Sequence, residues 1–262
     1  MTRAFRAELV KLQRRRTIIA TAIMAVAFAV GSAAIVVAAA VPAGSRPTGR
    51  GLTLEALAAS GAGTRVFRTA ASFSGFFVFV LFIGAMAVEF PRGTLRTMLL
   101  HEPRRVSLLA GKVAALLAFA SGVIAGAEIL TWVAARVAVS VRHVPTSQWL
   151  SIGALGHAAT DFAAVLLWVS CYALLAVSLA VVARSLTVAL AVGIAWAGPF
   201  EHLIENAWAS AGRFFPGLLL EAFAAGGTPL VSATRALITV AAYAAVAATA
   251  ASVLFARRDV TI

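Results

Sequence analysis

The 262-residue chain is 61% hydrophobic and 12% charged, and its mean hydropathy is +0.95. A water-soluble domain of this size cannot bury so much apolar surface, so the composition excludes an ordinary soluble protein and predicts an all-α protein embedded in a lipid bilayer. The net charge of +12 does not indicate nucleic acid as a partner, because the basic residues lie mainly in the short polar stretches between apolar runs, where they contact membrane lipids and set orientation.

The N-terminal segment, residues 1–16, predicts an amphipathic helix that lies in the membrane interface. At 100° per residue one face is apolar and the opposite face is basic. Such a helix rests its apolar side on the acyl chains while its arginines reach the lipid phosphates. The apolar face carries Phe5, Leu9 and Leu12, and the basic face carries Arg3, Lys11 and Arg14.

Six apolar runs predict a bundle of six membrane-spanning helices. A span needs about 20 mostly apolar residues to cross the hydrocarbon core. The fifth run is the shortest and ends in Gly198-Pro199. The predicted spans are 17–41, 70–88, 113–139, 161–183, 186–200 and 236–256.

The distribution of basic residues predicts a multi-pass protein of the cell membrane with both termini in the cytoplasm. An even number of spans places both termini on one side, and that side holds 14 of the 22 Lys and Arg residues. Two external segments follow from this orientation. Residues 42–69, rich in Gly, Ser, Thr and Pro, predict a surface loop, whereas residues 201–234 contain apolar pieces too short to span and predict a re-entrant-like helical hairpin before the last span.

The cytoplasmic segment 89–112 is the most informative stretch of the sequence. Its leucines and arginines recur at helical spacing, which predicts a short amphipathic helix, a proline turn and a basic approach to the third span. A polar helix between two spans can dock into a cleft of a soluble partner and pass movement to the bundle. The candidate coupling residues are Glu89, Arg92, Gly93, Thr94, Leu95, Arg96, Leu99, Pro103 and Arg104.

At these residues the sequence resembles the permease subunits of type-2 ATP-binding cassette (ABC) exporters. The shared pattern is an acidic residue, Gly-Thr-Leu-Arg, paired leucines, a proline with basic residues, and Gly111-Lys112 opening the third span. The Glu8-Leu-Val-Lys11-Leu start is similar to the connecting (elbow) helix of that family, and Phe255-Ala-Arg-Arg-Asp-Val260 is similar to its ending. The motif resemblance covers about 25 residues, whereas the architecture covers the whole chain.

The resemblance implies a transporter in which this chain is not an enzyme. The segment 93–100 would be the coupling helix, seated on a separate ATPase subunit that binds the ATP and magnesium. A second permease chain, identical or a sister, would complete the assembly. The implied substrate is a lipophilic drug, a lipid, a peptide or a natural product, exported as in multidrug efflux. In agreement, the sequence has no Gly-x-x-x-x-Gly-Lys-Ser/Thr run to cradle a phosphate, and it predicts no cofactor in this chain.

Charged and aromatic side chains inside the predicted spans are the candidates for a translocation path. Glu128 lies well inside the third span, where an ionised carboxylate costs about 2.5–3.5 kcal/mol and must be paired, protonated or turned toward the bundle. Phe76 and Phe77 in the second span could line an apolar path. Asp161 and His157, four residues apart, could form a polar pair at the start of the fourth span. The alternative function is a gradient-driven transporter or channel that uses Glu128 and Asp161 as its ion-handling groups.

A less favoured alternative is an intramembrane hydrolase. Glu201, His202 and Glu205 cluster on the predicted external side, but an inverted zincin pattern requires a His where Asn206 stands. The four histidines of the chain lie in different segments, so the sequence predicts no metal site and no catalytic residues.

Overall fold

The computed structural model describes residues 1–42, 44, 51–91, 93–101, 104–208 and 210–258. Within these ranges the regular elements are helices, and the only β-type pairings are two isolated bridges. The all-α prediction is therefore confirmed for the described part of the chain. The α-helices are α1 Thr2–Leu12, α2 Arg15–Ala38, α3 Leu54–Ala58, α4 Ala62–Ala71, α5 Gly75–Ala87, α6 Thr94–His101, α7 Arg105–Val141, α8 Ile152–Ala183, α9 Leu186–Ala195, α10 Glu201–Ala207, α11 Pro216–Ala224 and α12 Ala233–Arg257.

Four of these helices are long and apolar enough to cross a membrane, and the described ranges offer a fifth candidate in the bent pair α4 and α5. The four are α2, α7, α8 and α12, which correspond to predicted spans 17–41, 113–139, 161–183 and 236–256. Helices α7 and α8 begin about two turns earlier than the apolar pattern indicates, because helix formation continues through polar flanks that water or headgroups can solvate. The described residues thus contain four or five candidate membrane spans by length and apolar composition.

The predicted span 186–200 remains a prediction. Helix α9 has ten residues, which rise only about 15 Å. The chain stays helical through a π-helical segment, Trp196–Phe200, and then through α10. The wider π turn contains Pro199, whose nitrogen has no hydrogen to donate, so the local ladder must rearrange there.

The prediction of a surface loop for residues 42–69 is wrong in part. Helices α3 and α4 fold within it, and Leu57, Val66 and Ala62 are buried in a hydrophobic cluster with α2 and the C-terminal part of α7. The side chain of Thr53 caps α3 by accepting a hydrogen bond from the Ala56 amide. Gly, Ser, Thr and Pro make up 13 of the 28 residues here, but apolar residues recur on one face of α3 and α4, and that face is sufficient for packing. Residues 43 and 45–50 lie outside the described residues.

The chain divides into two compact units. The first unit comprises Met1–Gln13, Ser74–Phe119 and Trp168–Ile262, and the second comprises Arg14–Phe73 and Ala120–Leu167. Helix α5 packs on α9, and α11 packs on α12, in the first unit; α2 packs on α4 in the second. Each unit contains a buried polar cluster.

Candidate functional site

Four charged side chains meet in the first unit, where α1, the end of α5 and the start of α7 come together. The Lys112 ammonium lies 3.0 Å from an oxygen of Glu8 and 2.7 Å from an oxygen of Glu89. Lys11 pairs with the same two oxygens, at 3.3 Å from Glu8 and in a short contact with Glu89. We call these four residues the elbow ion cluster.

The elbow ion cluster is balanced in charge and largely removed from water. Glu8, Glu89 and Lys112 are each at most 3% exposed, whereas the Lys11 side chain is 41% exposed. Burial lowers the pKa of Lys11, but the carboxylates of Glu89 and Glu8 outweigh it, so the pKa of Lys11 is raised above its usual range. Within the described residues, the second carboxylate oxygen of Glu8 and that of Glu89 are buried without a hydrogen-bond partner. The cluster therefore depends on its two ammonium groups.

Local sequence features bring the cluster together. Glu8 and Lys11 are three residues apart on α1, so both face the same side of that helix. Gly111 lets α1 approach α7, because a Cβ atom there would lie 2.7 Å from the Met1 carbonyl oxygen and 3.0 Å from the Ala4 Cβ. Lys112 follows immediately and points its ammonium at the two carboxylates. The Gly111-Lys112 pair thus combines a close helix approach with a buried cation.

Helix α6 directly follows the cluster and occupies most of the segment 93–100, whose coupling role stays a prediction. Gly93 has a φ of +66°, a conformation that favours glycine, and its amide donates to the Phe90 carbonyl. The Thr94 hydroxyl donates to the Glu89 carbonyl at 3.4 Å, which fixes the start of α6. Leu99 is partly buried and Leu100 is 81% exposed.

Other predicted coupling residues are described less fully. Leu95 and Arg96 lie within α6 by their backbone. Arg92 and Pro103 lie outside the described residues, and Arg104 is exposed just before α7. The structure therefore brings Glu89, Gly93 and Thr94 together at the base of α6.

The second unit contains the other polar cluster, around Asp161 on α8. The Thr64 hydroxyl donates to Asp161 at 2.9 Å, and Arg68 forms an ion pair with it at 3.3 Å. These partners come from α4, instead of the His157 that the sequence suggested. Glu128 on α7 is buried, and its Oε1 has no hydrogen-bond partner among the described residues.

The phenylalanines predicted to line a path do not lie at the cavity beside their helix. Phe77 is exposed and Phe76 is partly exposed on the surface of this chain, with the two rings edge to face. A cavity of about 300 Å³ in the first unit is lined by Phe79 and Tyr172, together with Trp196 and Glu201. Phe76 and Phe77 point elsewhere because only every third or fourth residue of α5 faces its neighbours.

The polar residues considered for a hydrolase have structural partners. Glu201 accepts a hydrogen bond from the Leu218 amide at 2.9 Å and so caps the N-terminus of α11. Burial raises the pKa of the Glu201 carboxyl, although the backbone amides of Leu218 and Gly217 oppose this shift. His202 pairs with Glu221 at 3.3 Å. Over the described ranges, no group of three His, Cys, Asp or Glu side chains is placed to hold a metal ion.

Sequence reasoning missed Glu8, Lys11 and Lys112 as members of one charged site. The available signal was that Glu8 is the only acidic residue among the first 54, in a strongly basic segment, while Glu89 and Lys112 bracket the coupling segment. Opposite charges at the ends of apolar helices can pair, but the sequence did not indicate which ones would meet.

No protein-family model matches this chain, and no curated protein matches it at a significant level.

Proposed function

We propose that this chain is the membrane-spanning permease subunit of a type-2 ABC exporter, driven by ATP hydrolysis in a separate subunit. The observation that carries the proposal is the elbow ion cluster at the base of α6. In the proposed assembly, α6 is the coupling helix, a second permease chain completes the pathway, and both termini lie in the cytoplasm of a multi-pass cell-membrane protein.

The cluster gives the proposed coupling a physical route. Breaking a buried ion pair leaves an uncompensated charge and costs about 3–5 kcal/mol, so α1, the end of α5 and the start of α7 resist separation. Thr94 and Gly93 join α6 to this block through the Glu89 and Phe90 carbonyl groups. A motor that moved α6 would therefore move the ends of two predicted spans and the interfacial helix as one body.

The test is binding of an ABC-type ATPase subunit to the purified permease chain. We expect a candidate ATPase from the same organism to co-purify with the wild-type chain and to lose this binding when Leu95, Arg96 and Leu99 are replaced together by alanine. Leu100→Glu should have the same effect, because Leu100 is exposed on α6. Val10→Ser, at an exposed position of α1, is the matched control and should retain the ATPase. Equal binding by wild type and both α6 variants would refute the coupling role.

The predicted orientation has a separate test. Cys171 is the only cysteine, so Cys171→Ala provides a cysteine-free background for labelling. A cysteine at position 100 should react with a membrane-impermeant maleimide in inverted vesicles and not in intact cells. Reaction in intact cells would place α6 outside and would remove the basis for a cytoplasmic motor.

A gradient-driven transporter is the second candidate function, and the buried Glu128 favours it. A carboxylate inside a predicted span that lacks a partner is a typical proton- or ion-binding group. Transport by reconstituted chain alone, driven by an imposed pH gradient and abolished by Glu128→Gln, would support this candidate over the permease.

A further inference from the structure

A cavity of about 330 Å³ lies within the second unit, between α4, α7 and α8. Its wall contains one carboxylate, two tryptophans and several hydroxyl groups, and the rest is small or aliphatic. Pockets of this size and composition bind small organic molecules, with the few polar groups fixing orientation. The lining includes Thr64, Glu128, Trp132 and Trp149.

Glu128 supplies the unpaired carboxyl group of this cavity. The side chain is 7% exposed, and its Oε1 is buried without a partner within the described residues. Neighbouring Asp161 is already paired with Arg68, and it accepts a hydrogen bond from the Thr64 hydroxyl as well. Of these two acidic side chains, Glu128 is therefore the one without a paired cation among the described residues.

Arg136 does not neutralise Glu128. It lies eight residues farther along α7, a rise of about 12 Å. Its guanidinium is placed over the Trp132 ring, 5.5 Å from the ring centroid.

The two tryptophans form a fixed aromatic wall. Their ring centroids are 6.3 Å apart, and the Trp149 indole nitrogen donates to the Leu57 carbonyl at 3.0 Å, which holds that ring in place. Both rings pack on Gly63, where a Cβ would come within 3.0 Å of Trp149 and closer still to Trp132. Aromatic faces beside a single carboxylate are the groups that recognise an organic ammonium or phosphonium ion.

We propose that this cavity binds a lipophilic organic cation, with its apolar body against Trp132 and Trp149 and its charge paired with Glu128. The proposal deepens the proposed function by naming a substrate class, and only its transport step rests on that function. Binding requires no ATPase, so a failure to bind the cation and a failure to bind an ATPase are separate results. A protonated Glu128 that serves only as a proton carrier is the alternative outcome.

The test is equilibrium binding of tritiated tetraphenylphosphonium to the purified chain in lipid nanodiscs. We expect saturable binding that unlabelled tetraphenylphosphonium displaces and that neutral triphenylphosphine oxide, with three of the same four rings, displaces at least tenfold less well. Glu128→Gln should weaken binding at least tenfold, and Glu128→Asp, which keeps the charge, should weaken it less. Glu55→Gln removes an exposed carboxylate from the same unit and should leave binding unchanged.

A second variant tests the aromatic wall, so that the proposal can still be judged if Glu128→Gln does not fold. Trp132→Leu should weaken tetraphenylphosphonium binding at least fivefold, with the thermal midpoint and gel-filtration profile used to verify that each variant is folded. Unchanged affinity in folded Glu128→Gln, or equal displacement by triphenylphosphine oxide, would overturn the proposal. Absence of saturable binding to the wild-type chain would overturn it as well.

Discussion

Replacing Lys112 by methionine is the sharpest perturbation of the elbow ion cluster. Methionine keeps the length and helix propensity of lysine but removes the ammonium. At an effective dielectric constant of 20, the attraction across the 2.7 Å contact to Glu89 is about 6 kcal/mol. The contact to Glu8 at 3.0 Å contributes nearly as much. Desolvation of the buried ions offsets most of this attraction in the intact cluster.

In the variant the desolvation cost of the two buried carboxylates is no longer offset, because Lys11 is the one ammonium group left to pair with them. We expect Lys112→Met to lower the free energy of unfolding by about 3–5 kcal/mol. Lys11→Met is the comparison variant: it also removes one ammonium from the cluster, but the Lys11 side chain is 41% exposed, so water replaces part of the lost interaction and the loss of stability should be clearly smaller. Adding Glu8→Gln to Lys112→Met restores the charge balance and should recover at least half of the loss.

Sodium dodecyl sulfate titration in mixed micelles, followed by circular dichroism, measures these differences. Hydrogen exchange of the α1 amides locates them, and we expect α1 to lose protection before α7 does. The reasoning is refuted if Lys112→Met matches the wild type in stability and α1 protection. It is also refuted if the effects of Glu8→Gln and Lys112→Met simply add, since side chains in direct contact must couple.

Three further predictions concern other parts of the first unit. Gly111→Ala should lower the free energy of unfolding by about 1–3 kcal/mol in the same titration, because the new Cβ would collide with the Met1 carbonyl oxygen. Gly122→Ala, on the same helix, is the control: its Cβ would enter open space, so the variant should be neutral or stabilising. Gly93→Ala should lower the free energy of unfolding by about 1–2 kcal/mol because the backbone φ is +66°, although nothing lies within 4 Å of the new Cβ. Gly84→Ala in α5 is the unstrained control, and an equal loss in both variants would contradict the strain argument. Glu201→Gln tests the raised pKa of the Glu201 carboxyl group, whose protonated form the folded state favours. The wild type should therefore gain stability relative to the variant as the pH falls from 8 toward about 4.3. A constant difference in stability across that range would contradict the prediction.

Composition and hydropathy were sufficient to predict a lipid environment and an all-α fold. Long apolar runs must form helices in lipid because each backbone group needs an internal partner there. Four predicted spans accordingly appear as the long helices α2, α7, α8 and α12. The hydropathy pattern could not set the ends of these helices, since polar flanking residues remain helical, and it could not reveal that α3 and α4 pack inside a Gly- and Thr-rich stretch.

The sequence alone also singled out segment 89–112 and the carboxyl group of Glu128 as candidate functional features, since local spacing and an acidic residue in an apolar run are visible without coordinates. Tertiary structure decided which groups pair: Lys112 with Glu8, 104 residues away, and Asp161 with Thr64 and Arg68. Helical periodicity assigns a side chain to a face but does not choose the helix that covers that face. That choice depends on packing, and here it left Glu128 beside two tryptophans, with a carboxyl oxygen that has no hydrogen-bond partner among the described residues.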